Sequence, residues 1–210
     1  MYSPSQFKVE DTQAMLDLIA QNPLATVIHT QGTRLVADHI PLMHVTNPQG
    51  QACLIGHVAR NNPIWQMAND QEVLAVFQGA SVYISPNWYA TKQAGGKVVP
   101  TWNYTVVHAS CQLKSIEEPT AVLNIITQLT NQQEAGQQHP WRVEDAPSDF
   151  TEKLLDHIVG IELTVKQLDG KWKVSQNQPP QNQSSVQAGL IQAGSEAQVA
   201  MAHLVKQHGQ

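Results

Sequence analysis

Two features of the sequence predict a mainly β protein with flanking helices. After Asn22-Pro23 the hydrophobic period changes from helical to two, and short runs with that period follow one another, separated by Gly-containing turns. The first such runs are Leu24–His29, Arg34–Val45 and Gln51–Val58, joined by turns at Gln31-Gly32 and Asn47-Pro48-Gln49-Gly50. Short connections of this kind are typical of an antiparallel sheet. We expect a small closed barrel, because closure removes the unpaired edges that many short strands would leave.

The elements of the first half follow from local patterns. Glu10–Gln21 carries Met15, Leu18 and Ile19 at helical spacing, with Asp11 as its N-cap. A short helix is predicted over Arg60–Asn69, with Pro63 in its first turn. The next predicted strands are Glu72–Gln78 and Ser81–Ser85, separated by Gly79, and the long extended run Val98–Ile116.

The second half returns to the helical period. Pro119–Glu134 and Asp149–His157 are predicted helices, the second with a capping box of Asp149 and Glu152. Asp169-Gly170 predicts a type I′ hairpin between strands Ile158–Leu168 and Lys171–Val174. Gln176–Ser185 has the composition of a polar linker, and Glu196–Gln207 is a weakly amphipathic helix. The predicted organisation is one domain over residues 1–180, then a polar linker and C-terminal helical tail over 181–210.

Composition narrows the class of protein. No apolar run approaches the ~18 residues of a membrane span, and no apolar signal segment follows Met1. Cys53 and Cys111 form no CxxC pair, so we expect a cytoplasmic protein without a disulfide framework. With 12 Lys and Arg and a net charge of −5, a broad phosphate-binding face is not expected. Gly136–Pro147 also separates two predicted helices by far more than a helix-turn-helix turn. DNA contact is therefore possible but unsupported.

Aromatic residues are concentrated between residues 77 and 104. Half of the aromatic residues of the chain lie there: Phe77, Tyr83, Trp88, Tyr89, Trp102 and Tyr104. Mixed with Pro, Gly, Asn and Lys, they suit a pocket that stacks a flat ligand and offers a few polar groups. They suit a hydrophobic core crossed by two irregular strands equally well, and composition leaves both interpretations open.

Two polar positions are candidates for chemistry. Arg60 lies between the end of a strand and a predicted helix N-terminus, which suits either a phosphate contact or a surface arginine beside a capping Asn. Asp38 lies on the otherwise apolar side of its strand, so either a bulge redirects it or a buried carboxylate has a partner.

Other kinds of site find little support. His39 and His57 could ligate a metal with His29, His44 or His108 as a third ligand, but no metal-ligand spacing is present, and we expect no metal. Ser85 lacks the GxSxG elbow of a hydrolase.

Eight segments follow one another along the chain: MYSPSQF, ADHIPL, GHVARNNP, VFQGASVYISPNWYATK, VPTWNY, VVHA, IVGIEL and GKWKVSQN. In this order and spacing they resemble the PaiB-type family, whose members are described as FMN-binding negative transcriptional regulators. The resemblance runs from Met1 to about Val186. YISPNWY, VPTWNY and GKWKVSQN are its most specific parts.

The resemblance implies an FMN-binding split β-barrel, as in pyridoxamine-phosphate oxidases and flavin reductases, and a homodimer with FMN in a groove between subunits. It implies that Ala37, Asp38 and His39 run along the isoalloxazine edge. By the same likeness His57, Arg60 and Asn61 lie near the phosphate. Lys92, Trp102 and Asn103 match the YATK and PTWNY positions, which places them at or near the flavin.

Two functions stay open at this point. The first is a flavin-binding regulator that acts through a partner or a change of bound state. The second is a flavin- or haem-dependent oxidoreductase of the split-barrel group, whose chemistry resides in the cofactor. The family favours the first, while the low basic charge and the missing DNA-reading helix favour the second.

Overall fold

The computed structural model describes residues 1–209. It contains eight β-strands: β1 (Lys8–Val9), β2 (Leu24–Gln31), β3 (Arg34–Pro41), β4 (Met43–Thr46), β5 (Ala52–Ala59), β6 (Glu72–Ile84), β7 (Thr101–Ile116) and β8 (Ile158–Lys173). They form one sheet in the order β3-β2-β6-β7-β8-β5-β4, and β1 pairs with β8. The pairs β1–β8, β2–β3, β2–β6, β4–β5 and β5–β8 are all antiparallel.

Within residues 1–209, seven α-helices accompany the sheet: α1 (Thr12–Gln21), α2 (Ile64–Met67), α3 (Lys92–Gly95), α4 (Pro119–Glu134), α5 (Ser148–Leu155), α6 (Pro180–Ala193) and α7 (Glu196–His208). Local signals place the ends of several of them. Asp11 Oδ1 accepts the amide hydrogens of Gln13 and Ala14 at 2.9 and 3.3 Å, as predicted for the N-cap of α1. None of the described helices is long and apolar enough to cross a membrane.

Contacts between Cα atoms divide the chain into two compact units. The first unit contains Met1–Leu18, Gln78–Val107 and the chain from Asp169 onward, and the second contains Ile19–Phe77 and His108–Leu168. The second unit buries Val27, Leu54, Phe77, Leu113 and Ile161 completely or nearly so, and the first buries Ile84, Leu190 and Met201. Both cysteines, Cys53 and Cys111, are buried and unpaired.

Two predicted chain breaks at glycine are wrong. β6 continues through Gly79, and this position requires glycine because a Cβ there would collide with Thr105. β8 likewise runs through Asp169-Gly170 to Lys173, and neither residue has the positive φ that a type I′ turn requires. Gly170 lies opposite Val9 of β1, and its Cβ would stand 2.8 Å from both Met15 Sδ and Val9 Cβ. Both glycines therefore permit a close approach within a strand.

The polar segment near the C-terminus is more ordered than predicted. α6 begins at Pro180, inside the predicted linker, and buries Asn182 and Gln183. The Asn182 amide exchanges hydrogen bonds with Thr91, which explains why a polar composition is compatible with burial. α5 begins at Ser148, one residue earlier than predicted, and its N-cap is Pro147. The predicted capping box of Asp149 and Glu152 is therefore not formed among the described residues. The domain boundary after residue 180 stays a prediction.

Candidate functional site

The β3 segment presents its side chains alternately. Ala37 and His39 are exposed, while Asp38 between them is half-buried on the opposite side. His39 faces Thr26 across the β2–β3 pair, and His39 Nδ1 lies 3.2 Å from Thr26 Oγ1. β3 is terminal in the strand order and pairs with β2 alone. Its outer edge therefore has no strand partner within residues 1–209.

Asp38 has partners, and its strand is regular. Its Oδ2 lies 3.6 Å from Nε2 of the buried His29, and its Oδ1 accepts a hydrogen bond of 2.8 Å from Asn62 Nδ2. The β2–β3 register runs without interruption from Leu24↔Pro41 to Gln31↔Arg34, so no bulge redirects the carboxylate. Of the two predicted alternatives, the partnered carboxylate is the one observed.

The side-chain amide of Asn62 holds the 60–63 loop in place through both its nitrogen and its oxygen. While its Nδ2 donates to Asp38, its Oδ1 accepts from the Ile64 amide at 3.0 Å. Trp65 Nε1 donates to the Arg60 carbonyl at 2.9 Å and closes the loop from the other side. These hydrogen bonds fix the β3 segment and the loop after β5 against each other.

The Arg60 guanidinium makes three hydrogen bonds to other residues of the chain. Its Nε donates to the Asp156 carbonyl at 2.8 Å and its Nη2 to the Ile158 carbonyl at 3.2 Å. Its Nη1 pairs with Glu117 Oε2 at 3.2 Å, and the group lies over the Trp65 ring, 5.8 Å from its centroid. A guanidinium has five N–H donors, so about two remain for a ligand. Because α2 has only four residues, it adds little helix dipole to this position.

His57, on β5, is half-buried beside this loop. Its Nδ1 is buried and has no hydrogen-bond partner among the described residues. Burial lowers the pKa of His57, so the imidazole is neutral at physiological pH. Asn61, in the adjoining loop, is exposed. A neutral imidazole with an unmet nitrogen can donate or accept one hydrogen bond from a ligand.

The first unit contains a cavity of about 490 Å³ that four of the motif segments line. Its walls come from residues 6–7, 89–91, 97–103 and 173–182. Asn103 contributes its amide and is 1% exposed, with Nδ2 donating to Ser175 Oγ at 2.8 Å. The Asn103 Oδ1 atom is buried and has no donor in the described part of the chain. The volume is in the range of small-molecule sites.

Lys92 and Trp102 do not line this cavity. Lys92 Nζ donates to Asn87 Oδ1, and Trp102 is 55% exposed with its ring edge-on to Tyr83 at 6.2 Å. The aromatic-rich stretch divides in the same way. Phe77 and Tyr89 are buried, whereas Tyr83 and Trp102 are exposed. Part of the stretch therefore fits the interpretation as a hydrophobic core, and part fits the interpretation as a ligand pocket.

Residue-level reasoning missed the cavity groups Lys173, Ser175 and Asn182. The motif GKWKVSQN contains the first two, but its sequence alone does not indicate that they line a cavity. Ser175 has a φ of +65°, an uncommon conformation for a residue other than glycine, and a sequence pattern does not reveal it. Within residues 1–209, no cluster of three or more His, Cys, Asp or Glu side chains suits a metal ion.

A sequence model of the family described as "Putative FMN-binding domain" matches residues 1–167. The chain belongs to this family. The uncharacterized protein AN0679 of Emericella nidulans is 33% identical to it over 92% of this chain and 91% of its own length. The Protease synthase and sporulation protein PAI 2 of Bacillus subtilis is 29% identical over 84% of this chain and 83% of its own length. The predicted PaiB-type resemblance and the FMN-binding character are thereby confirmed.

A solved structure supports the fold class. The flavocytochrome Anf3 of Azotobacter vinelandii superposes with a TM-score of 0.59 at 11% identity, over 80% of this chain and 69% of its own. An identity this low is informative about the fold only. The prediction of a mainly β split barrel with flanking helices is confirmed.

Proposed function

We propose that this protein is a cytoplasmic homodimeric regulator that holds FMN against the β3 segment and the loop after β5. Ala37, Asp38 and His39 follow the isoalloxazine edge, and His57, Arg60 and Asn61 surround the phosphate. One observation carries this proposal. The 2.8 Å hydrogen bond from Asn62 to Asp38 joins the segment predicted for the ring to the loop predicted for the phosphate.

The chemistry of these groups suits FMN. The unpaired outer edge of β3 offers backbone N–H and C=O groups to the polar edge of an isoalloxazine ring. The unmet Nδ1 of His57, the remaining N–H donors of Arg60 and the exposed amide of Asn61 suit phosphate oxygens. Lys92, Trp102 and Asn103 match motif positions of the family, and their contact with flavin stays a prediction.

His57 offers a direct test of the phosphate position. Replacing it with Leu removes one hydrogen bond to a charged phosphate, worth about 1.5–3 kcal/mol, or roughly a tenfold to hundredfold loss of FMN affinity. Riboflavin lacks the phosphate, so its affinity should not change. The measurement is a pair of titrations followed by quenching of flavin fluorescence. His44→Leu is the matched control, because His44 is also half-buried with a pKa lowered by burial, but lies on β4. Equal losses for both flavins would remove His57 from the phosphate site.

The exposed apolar residues of the β2–β3 hairpin support the homodimer. Leu24 is 61% exposed at the open end of the hairpin, and Leu35 is 78% exposed near its turn. A second copy covering this hairpin would bury well over ~1,000 Å² in total. Light scattering should therefore give twice the chain mass at micromolar concentration, and Leu35→Lys should shift it toward the monomer. A wild-type protein that stays monomeric would contradict the shared-groove arrangement.

The regulatory role rests on the resemblance to the PaiB-type family, and the related PAI 2 of Bacillus subtilis is named for protease synthesis and sporulation. A redox enzyme is the second candidate, favoured by the helix arrangement. α4 and α5 are separated by residues 135–147, too many for a helix-turn-helix, and Lys153 of α5 pairs with Asp149 at 3.7 Å. Anaerobic addition of NADH or NADPH to the FMN-loaded protein separates the two. Flavin bleaching at a catalytic rate would favour the enzyme, and stable oxidised flavin would favour the regulator.

A further inference from the structure

The cavity of the first unit carries positive charge without a compensating carboxylate. Lys173 and Lys97 line it, whereas none of its lining residues is Asp or Glu. Lys171 stands two residues before Lys173 in β8, and its side chain points to the same side of the strand. The ion pairs of residues 1–209 include none of these three lysines. The local charge is thus opposite in sign to the net charge of −5.

The two lysines of β8 are partly withdrawn from water. Lys171 is 9% exposed, donates to the Tyr2 carbonyl at 3.1 Å and lies 5.3 Å from the centroid of the Tyr104 ring. Lys173 donates to Thr101 Oγ1. Burial and the charge of Lys171 lower the pKa of Lys173. Two neighbouring cations in such a place repel each other, and a bound anion would relieve that repulsion.

The N-terminus of α6 adds to the positive potential. Pro179 and Asn182, at the start of this 14-residue helix, line the same cavity. The N-cap is Pro179, whose side chain cannot accept from the amides of the first turn, and no side-chain cap is formed. The partial positive charge of a long helix therefore faces the space beside Lys173.

The side-chain amide of Asn103 also lines this cavity. Asn103 is only 1% exposed. Its Nδ2 donates a hydrogen bond to Ser175 Oγ, which holds the amide in one orientation. Its Oδ1 lacks a donor among residues 1–209. A buried acceptor left without a donor costs about 1–3 kcal/mol, and a ligand N–H or O–H would recover that free energy.

We propose that this cavity binds a small organic acid whose carboxylate pairs with Lys173 and whose N–H or O–H group donates to Asn103 Oδ1. No arginine lines the cavity, and Lys173 offers a compact point charge with which a single carboxylate oxygen can pair. The apolar walls of Phe7, Tyr89 and Val98 suit a flat hydrocarbon portion. This assigns to Asn103 a role other than flavin contact. It gives the protein an effector site in addition to its FMN site.

Hippurate carries all three features in one molecule: an aromatic ring, an amide N–H and a carboxylate. Two close analogues isolate them. Its methyl ester lacks the charge, and 3-benzoylpropionate replaces the N–H with a methylene group. Isothermal titration calorimetry with the protein of residues 1–210 should show that hippurate binds at least about tenfold more tightly than the ester, and more tightly than 3-benzoylpropionate. Added salt should weaken hippurate binding and leave ester binding unchanged.

Substitutions test whether Lys173 recognises the carboxylate and Asn103 recognises the N–H group. Lys173→Met keeps most of the stem and should weaken hippurate about tenfold without changing the ester. Asn103→Leu should abolish the preference for hippurate over 3-benzoylpropionate. Lys166→Met is the matched control, since Lys166 is an exposed lysine of the same strand and should leave all three affinities unchanged.

Several results would overturn the proposal. These are no detectable hippurate binding, equal affinity for hippurate and its ester, or an equal loss in Lys166→Met. FMN that competes with hippurate, together with weaker FMN binding in Lys173→Met, would assign the cavity to flavin instead. If a variant does not fold, as judged by thermal unfolding, the ester comparison and the salt dependence of the wild type decide the matter. A protein that failed to bind FMN but bound hippurate as described would contradict only the proposed FMN function.

Discussion

Replacing Arg60 with Met tests whether this arginine stabilises the fold, binds phosphate, or does both. The side chain ends in three described hydrogen bonds, to the carbonyls of Asp156 and Ile158 and to the carboxylate of Glu117. Methionine preserves most of the stem, but it cannot donate and it loses the contact of the guanidinium with the Trp65 ring. The substitution therefore removes all three bonds while changing the packed volume little.

The expected loss of stability follows from these bonds. Arg60 and Glu117 have side chains that are 37% and 55% exposed, so their ion pair contributes at most about 1 kcal/mol. The two hydrogen bonds to main-chain carbonyls contribute roughly 1–1.5 kcal/mol each. This is low for a charged donor, because the guanidinium is partly solvated. The total is about 2–4 kcal/mol. At roughly 2–4 °C per kcal/mol for a chain of this size, the melting temperature should fall by about 5–15 °C.

The assay is thermal unfolding followed by circular dichroism, without added flavin. Arg34→Met is the matched control, because Arg34 is an exposed arginine of the β2–β3 turn. It takes part in none of the side-chain hydrogen bonds or ion pairs found among residues 1–209, so its loss should leave the melting temperature unchanged. Glu117→Gln should cost less than about 1 kcal/mol.

The same protein then answers the phosphate question. If the remaining donors of Arg60 contact the phosphate, FMN affinity should fall about tenfold to a hundredfold in Arg60→Met at a temperature where the variant is folded. Riboflavin affinity should not change. An unchanged melting temperature would refute the structural role inferred from the three hydrogen bonds. Equal losses for FMN and riboflavin would show that Arg60 acts on the site through folding alone.

Three further results are expected. Gly170→Ala should destabilise the protein by about 1–3 kcal/mol in urea, because its Cβ would stand 2.8 Å from Met15 Sδ, whereas Gly136→Ala, with open space around it, should cost nothing comparable. Because burial lowers the pKa of His57, the unfolded chain takes up a proton at higher pH than the folded chain. Stability present above about pH 6.5 is therefore lost as the pH falls toward the lower folded pKa, and His57→Gln should lessen the fall in melting temperature measured over that window. With a net charge of −5, the isolated protein should not bind an operator with nanomolar affinity at physiological salt, and a clean footprint under those conditions would contradict this.

The elements that the sequence predicted well are those with local causes. α4 runs from Pro119 to Glu134 as predicted, because a proline in the first turn and a helical apolar stripe are both visible in the sequence. The turns at Gly32 and Gly50 were found for the same reason, and both glycines have the positive φ that such turns need. The side of β3 on which Asp38 lies also followed from strand alternation.

The failures have long-range causes. Asp169-Gly170 has the composition of a turn, but Val9 and Met15, some 160 residues away in the sequence, pack where a side chain would be. Gln176–Ser185 has the composition of a linker, but Asn182 is buried because Thr91 offers it two hydrogen bonds. In both cases the residue type is explained by a partner that lies far away in the sequence.

The same distinction separates the two sites. Arg60 and Asp38 were identified as candidates from their immediate neighbours, because a charged residue at the end of a strand, or on its apolar side, is unusual by itself. Lys173 carries no such local signal, since a lysine two residues from another lysine in a strand is ordinary on a surface. It becomes a candidate only when Asn103, some 70 residues earlier, places an unmet acceptor in the same cavity and no carboxylate lines the walls. An organic acid answers both conditions at once, so the hippurate comparison tests the cavity as a unit rather than either residue alone.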